Sequence, residues 1–475
     1  MNISLLYKMR RIAGRTAFSL AALLAVVLVA ATVAEKFRGT LFVSENVYSS
    51  PLFVGLWAAM AVAALCHIIS SRLRGAALWL HLSFVVVLAG AFVTYLAAER
   101  GTLYICREAP PASMFVKGDG SLAKFPFGVT LQGCKVDYYE GSDAPSDYIA
   151  EICVHLPDGS RELASLSMNK VYDRGGYRFC ISDVETDCAT LLVRHDAVGV
   201  PLTYAGYLML LLSVAALFVS KKSMWAALLR RVREYSLPLP VSGGGAARYF
   251  SSAVSLAVLC YVLYVGVRRW VETALFPVAD GSGALLLASW CLLLIAFLFF
   301  RRMRFASSVL CVLSVVVALL CANASSGYVM PVLRTPLLFF HVVSVILSYV
   351  LVTLLAVNAF VALCFHWFGH DDGRVERLAL FGRVLLYPAT MLLAVGIFIG
   401  AVWADMSWGR YWGWDPKEVW ALVTLLLCSF GFHTRSLPFM NRALAFHIFC
   451  VAVFLSVLFT FFGVNYLLGG LHSYA

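Results

Sequence analysis

The sequence predicts an all-α polytopic membrane protein, with about eleven transmembrane helices and one small β-rich extracytoplasmic domain. Three observations predict it. Hydrophobic residues make up 61% of the 475 and charged residues 13%, whereas a soluble domain carries roughly a quarter charged. Apolar runs long enough to cross a bilayer recur along the chain. One long stretch, 98–200, interrupts them with polar sequence and strand-like alternation.

The expected spans lie at 16–34, 52–69, 77–97, 201–219, 248–267, 282–300, 304–322, 336–365, 383–403, 416–433 and 443–465. The first is read as a retained span. It is long and lacks a clear cleavage site, although Ala30, Ala31 and Ala34 would suit one. Lys8, Arg10, Arg11 and Arg15 place the N-terminus inside. Eleven crossings then put Arg72, Arg74, Lys221, Lys222, Arg230, Arg231, Arg233, Arg301, Arg302, Arg304, Arg374, Arg377, Arg383, Arg435 and Arg442 on the same side. The short outer loops hold few cations: Lys36, Arg38, Arg268, Arg269, Arg334, Arg410 and Lys417. The net charge of +11 therefore needs no nucleic acid partner, since much of the excess faces anionic lipid.

That topology leaves 98–200 outside. Residues 148–155 alternate as a half-buried strand, and Pro157-Asp158-Gly159 is a turn signal. A Pro/Gly linker at 236–247, with Pro238, Pro240 and Gly243 to Gly245, divides the chain into 1–235, with four spans, and 248–475, with seven. Most of the thirteen cysteines lie in or near apolar spans, where cysteine behaves as a small hydrophobe. Cys106, Cys134, Cys153, Cys180 and Cys188 are in the outer stretch, where one or two disulfides are expected with the pairing open. No C-x-x-C occurs, which argues against a thiol reductant. No C-x-x-C-H occurs, which argues against a c-type cytochrome.

Residues 408–422, WGRYWGWDPKEVWAL, carry the most specific pattern. Asp415 and Glu418 have the spacing of a helix capping box, with Pro416 at the first helical position. That leaves Trp408, Gly409, Trp412, Gly413 and Trp414 unexplained. Interfacial aromatic belts spread over many helix ends. Rings concentrated in one loop with glycines between them point instead to a flat ligand platform. Histidines group by depth. His341 opens a span on the loop's side, and His472 lies past the last span on that side. His81 sits about five residues into its span from the inner face, roughly 7 Å deep, and His433 ends a span near the same level. His67 and His447 are alternatives to His81 and His433. An ionisable group in a span marks a functional site by default, the plain alternative being a neutral imidazole bonded to a carbonyl. His366, His370, His155 and His195 read as surface residues.

The tryptophan stretch resembles the "WWD" signature, loop 404–420, of the heme-handling membrane proteins of cytochrome c maturation. His341-Val342 with Ser348-Tyr349 is similar to the histidine segment upstream of that signature in the CcsA (ResC) family. Residues 461–475, FFGVNYLLGGLHSYA, resemble that family's C-terminus, and 1–235 resemble a shortened CcsB (ResB) partner. The chain thus looks like a fused CcsB–CcsA (ResB–ResC) cytochrome c synthase of System II in a bacterial inner membrane. The resemblance implies heme b as the bound group. It implies iron ligation by His341 and His472 outside and by His81 and His433 inside. Trp408, Gly409, Trp412, Gly413, Trp414 and Asp415 would form the heme platform, with Arg410 and Lys417 as nearby cations for propionates. It implies an apocytochrome c with C-x-x-C-H as partner and a thioredoxin-like thiol reductant nearby. The activity would be of heme-lyase type, with no catalytic residue beyond heme presentation. The competing readings are a heme exporter without ligation activity and a bis-heme electron-transfer subunit.

Overall fold

The computed structural model describes residues 3–71, 73–234, 281–299, 304–321, 330–333, 335–434 and 436–468, with scattered positions between 253 and 271. The linker expected at 236–247, much of the span expected at 248–267, and His472 lie outside the described residues. Three long helices come first: α1 (Ile3–Arg38), α2 (Pro51–Ser71) and α3 (Ala76–Ala97), with short helical turns at Thr40–Val43 and Ser44–Tyr48 between the first two. Eight strands follow: β1 (Glu99–Cys106), β2 (Ala112–Lys117), β3 (Leu122–Tyr138), β4 (Pro145–His155), β5 (Arg161–Ser167), β6 (Tyr172–Arg174), β7 (Tyr177–Val184) and β8 (Cys188–His195). The helices resume as α4 (Gly199–Val219), α5 (Met224–Glu234), α6 (Gly281–Phe299), α7 (Arg304–Cys321), α8 (Pro336–Trp367), α9 (Asp372–Trp408), α10 (Pro416–Phe430) and α11 (Ala443–Leu458). A wider-turned helix, Phe459–Leu468, continues α11.

Seven described helices are long and apolar enough to cross a membrane: Lys8–Arg38, Pro51–Ser71, Ala76–Ala97, Gly199–Glu234, Pro336–Trp367, Asp372–Trp408 and Ala443–Leu468. The chain is a multi-pass membrane protein. The other four expected spans fall on 248–267 and on the shorter helices α6, α7 and α10, of 19, 18 and 15 residues.

The strands form one antiparallel sheet in the order β5-β4-β3-β2-β1-β8-β7-β6. The expected strand at 148–155 is β4, and its turn closes through Leu156 N to Ser160 O at 2.9 Å. The first and last strands are neighbours, from Glu99↔His195 to Cys106↔Cys188. This follows from the helices at their ends, because α3 and α4 pack tightly where glycines remove the side chain. A Cβ at Gly90 would lie 2.4 Å from Thr203 Oγ1, and one at Gly199 would lie 2.2 Å from Thr94 Oγ1. Thr94 Oγ1 also donates to Asp196 Oδ2 at 2.6 Å, fixing the chain where it leaves β8.

One sheet face buries Leu103, Ile105, Leu191, Val193, Phe179 and Ile181 against Phe115, Phe125 and Phe127. The side-chain period of two puts Arg100, Arg194 and Arg178 on the other face. Cys106 and Cys188 form a disulfide across β1 and β8. Cys134, Cys153 and Cys180 are free thiols. Burial pushes the Cys180 thiol up to about 12, so it packs and does not react.

In the helical part α8 and α9 pack side by side around Leu355, Ala359, Leu378 and Leu386. Pro388 lies inside α9 and has no N–H to give the carbonyl of Val384. Trp225 Nε1 of the short amphipathic α5 donates to that carbonyl at 3.2 Å. Just past the proline, Ala389 O accepts from Ser348 Oγ of α8 at 2.7 Å.

Candidate functional site

The Trp loop begins where α9 stops. Gly409 has φ 66, the left-handed conformation that ends helices and that glycine adopts without strain. The expected capping box is present: the Asp415 side chain accepts from Lys417 N at 3.0 Å, with Pro416 opening α10. Glu418 Oε2 accepts from Asp415 N at 3.3 Å and also from Gly413 N at 2.8 Å. One carboxylate therefore ties the loop to the helix that follows it. Lys417 Nζ donates to Asn465 Oδ1 at 3.0 Å, tying it also to the C-terminal helix. Trp414 has φ 57, which costs a bulky residue about 1–3 kcal/mol. Packing offsets that cost: its indole stacks on Tyr48 at 4.9 Å and 13°, with Phe53 edge-on at 5.1 Å.

The three loop indoles do not share a plane. Trp412 and Trp414 stand at 85° with centroids 5.7 Å apart. Trp408 meets Trp403 at 4.8 Å, near Leu333 and Leu338. Trp412 packs with Ile397, Phe398 and Ala421. Trp414 belongs with α1 and α2. Each indole serves a different packing cluster, so a flat ligand would meet them at different angles.

His341 is the sixth residue of α8, at the loop's end of the helix pair. Its Nδ1 donates to Gly396 O of α9 at 2.7 Å. A carbonyl only accepts, so Nδ1 carries the proton and Nε2 the lone pair. The ring lies flat against α9 because Gly400 has no side chain: a Cβ there would sit 2.5 Å from Nδ1. Sequence reasoning missed Gly396 and Gly400. Their four-residue spacing in an apolar helix is the signal that marks close approach.

At the far end of α10, about 22 Å away along 15 residues, the structure brings His81 and His433 together. Their ring centroids are 5.9 Å apart. His81 Nδ1 donates to Ala77 O at 2.7 Å and His433 Nδ1 to Ser429 O at 2.9 Å. Both therefore present Nε2 as the lone-pair nitrogen, as metal-bound histidines do. Two imidazoles sharing one metal would have centroids roughly 6 Å apart, given metal–nitrogen bonds of about 2 Å. Phe18 of α1 lies 4.8 Å from the His433 ring. His67 is turned to α1, its Nδ1 bonded to Arg10 O at 3.1 Å. His447 is fully buried on another side, with Nε2 donating to Val375 O at 3.1 Å. His472 lies outside the described residues.

Sequence reasoning also missed a charge cluster beneath the Trp loop. Asp405, one turn before the end of α9, is fully buried. Arg178 and Arg194 of the sheet both pair with its carboxylate, and Tyr204 of α4 donates to it at 2.6 Å. Burial pulls the Arg178 guanidinium down, but Asp173 and Asp405 outweigh it and raise it. Arg194 also donates to Gly409 O at 2.9 Å. A lone carboxylate in an apolar helix was the available signal; its partners, more than 200 positions away, were not readable.

Comparison with known proteins adds similarities over the C-terminal part of the chain. Residues 278–472 match the model of the Cytochrome C assembly protein family. The chain is 35% identical to Protein NrfI of Wolinella succinogenes over 212 residues, 42% of this chain and 23% of that protein. It is 29% identical to Cytochrome c biogenesis protein CcsA of Trachelium caeruleum over 254 residues, 44% of this chain and 80% of that protein. Against CcsA of Chlamydomonas reinhardtii it is 31% identical over 242 residues, 46% and 66%.

Proposed function

We propose, from the match of residues 278–472 to the cytochrome c assembly protein family, that this chain carries heme across a membrane and presents it for attachment. The attachment would be to the C-x-x-C-H of an apocytochrome c. The observation that carries the reading is the set of three histidines, His81, His433 and His341. Each holds its Nδ1 proton on a backbone carbonyl and so offers Nε2 to iron. His81 and His433 would receive heme b near the inner face. His341, with His472, would hold it beneath the Trp loop.

In this reading 1–235 is a CcsB-like half and 248–475 a CcsA-like half, in a bacterial inner membrane with sheet and loop outside. Heme is the substrate. Its propionates resist hydrocarbon, so a protein-lined route is needed. Attachment adds each cysteine S–H across one vinyl group: a C–S bond forms and the thiol proton ends on a vinyl carbon. No electrons are lost, but the thiols must arrive reduced, which suits a thioredoxin-like partner. The chain's contribution is placement of peptide and porphyrin in register. Trp412, which packs on α9 as the His341 ring does, and Gly409, Gly413 and Asp415, which set the loop's path, would serve that placement, together with Trp408 and Trp414.

The test is co-expression with a C-x-x-C-H apocytochrome, followed by a heme stain after denaturation. Covalent label is expected from the parent chain, and little from His81→Ala or His433→Ala, which would purify with little heme. His447→Ala, removed from the ring pair, should retain its heme. Heme bound without covalent label would favour an exporter instead. Permanently retained heme at both levels with no label would favour an electron-transfer subunit.

A second expectation concerns the helix beneath His341. Gly400→Ala should push the imidazole off the Gly396 carbonyl and lower heme affinity at the outer site by about 10–100-fold, the usual cost of losing a ligand's orienting bond. Gly396→Ala is the control, because its Cβ would crowd Val345 instead, at 2.7 Å. Heme titrations that found both variants equally impaired would assign the effect to helix packing.

A further inference from the structure

Three arginines stand in a row on the sheet face that meets the Trp loop. In the strand register Arg100 of β1 lies opposite Arg194 of β8, and Arg194 opposite Arg178 of β7. Directly opposed residues share a face with Cβ atoms about 4.5–5.5 Å apart, and like charges there repel. Asp405 offsets the repulsion for two of them, and Asp173 pairs with Arg178 as well, at 2.6 Å. Arg100 makes no ion pair among the described residues. The Arg194 bond to Gly409 O puts the next residue, Arg410, beside the row. The Arg410 guanidinium is folded back on the loop, where a Cβ at Gly413 would lie 3.1 Å from its Cζ. It too makes no ion pair among the described residues. Burial and the charges of Arg194 and Arg410 press the Arg100 guanidinium down, while Tyr411 and Asp196 favour its charge. The acids near this junction include Asp405, taken up by Arg178 and Arg194, Asp196, bonded to Thr94 and Gly199 N, and Glu418, bonded to Gly413 N and Asp415 N. Two guanidinium groups from different parts of the chain therefore stand at the mouth of the Trp loop with no direct ion-pair partner among the described residues.

We propose that Arg100 and Arg410 form an anion site, complete only when the sheet domain sits on the Trp loop, and that it takes a propionate carboxylate of the porphyrin presented there. The proposal rests on the reading of the Trp loop as an outer heme site. Guanidinium groups suit the ligand, since their planar fork matches a carboxylate with two parallel hydrogen bonds. The arrangement gives the sheet domain a role in heme presentation: it supplies one arm of the clamp, and Asp405 holds that arm in place.

The test uses the full chain carrying His433→Ala, so that the signal reports the outer site, purified in detergent from heme-deprived cells. It is titrated with hemin and with hemin dimethyl ester, whose propionates are neutral. The parent should bind the ester about tenfold more weakly, the scale of one charged hydrogen bond. Arg100→Met and Arg410→Met should each bring hemin down toward the ester's affinity and leave the ester unchanged, while Arg100→Lys keeps part of the preference. Equal loss for both ligands would mean a structural role and overturn the proposal. An undiminished preference for hemin in both Met variants would overturn it also. If neither ligand binds the parent, the outer-site reading itself fails, which is a separate and recognisable result.

Discussion

Replacing His341 with alanine is expected to abolish heme attachment to a C-x-x-C-H apocytochrome, and added imidazole to restore part of it. The argument is geometric. The ring is held by Gly396 O at 2.7 Å and lies against the bare backbone at Gly400. Alanine leaves a cavity of imidazole shape at the end of α8, with the same carbonyl waiting to accept an N–H. Free imidazole can therefore bind in the native orientation and offer its other nitrogen to iron. Removing the ligand outright should exceed the roughly 10–100-fold cost of removing its orienting partner. A heme stain of the co-expressed cytochrome measures the first part, and the same stain with imidazole in the medium measures the second. Normal maturation by His341→Ala would exclude this residue from the site. Loss without any rescue, in protein that accumulates normally, would point to a packing role for the ring.

What could be read ahead of the structure was local. The capping box at Asp415 and Glu418 is a four-residue pattern, and the structure has it with both bonds formed. The alternation at 148–155 likewise became β4, because a half-buried strand writes its period into consecutive residues. Depth along a span is also local, and it put His81 and His433 at one level, where their rings lie 5.9 Å apart. Depth did not separate them from His67 or His447. That needed the direction of each ring, set by helix packing: His447 turns to Val375 O and His67 to Arg10 O.

Non-local features were not legible. The neighbouring of β1 and β8 joins residues about 90 positions apart, and no composition signal marks it. The Arg100–Arg194–Arg178 row exists only through that pairing. In sequence these are three scattered surface cations. The Trp loop was legible as a unit but not in its internal geometry. Its indoles were expected as one platform, yet each answers to a different neighbour: Tyr48 for Trp414, Trp403 for Trp408, and the α9 face for Trp412.

The second large effect is expected at Asp405. Asp405→Ala should cost about 3–5 kcal/mol, because it leaves the buried Arg194 without its counter-charge and Arg178 with only Asp173. The side chain is fully buried and accepts from Arg178, Arg194 and Tyr204, which come from β7, β8 and α4. The sheet has its own apolar core on its other face, and α8 and α9 have theirs. The loss should therefore fall on the junction between them, leaving both parts folded. Thermal unfolding of the purified full chain would show a lower first transition in Asp405→Ala. The control is Asp405→Leu combined with Arg178→Leu and Arg194→Leu, since replacing a whole buried ionic cluster with apolar residues is often close to neutral. The triple variant should regain most of the stability, yet still attach heme poorly, because the clamp arm at Arg100 has lost the frame that fixes its distance from Arg410. Stability and maturation would then separate, which a purely structural cluster does not allow. If the triple variant recovers both together, the cluster only holds the parts together and takes no part in presenting heme.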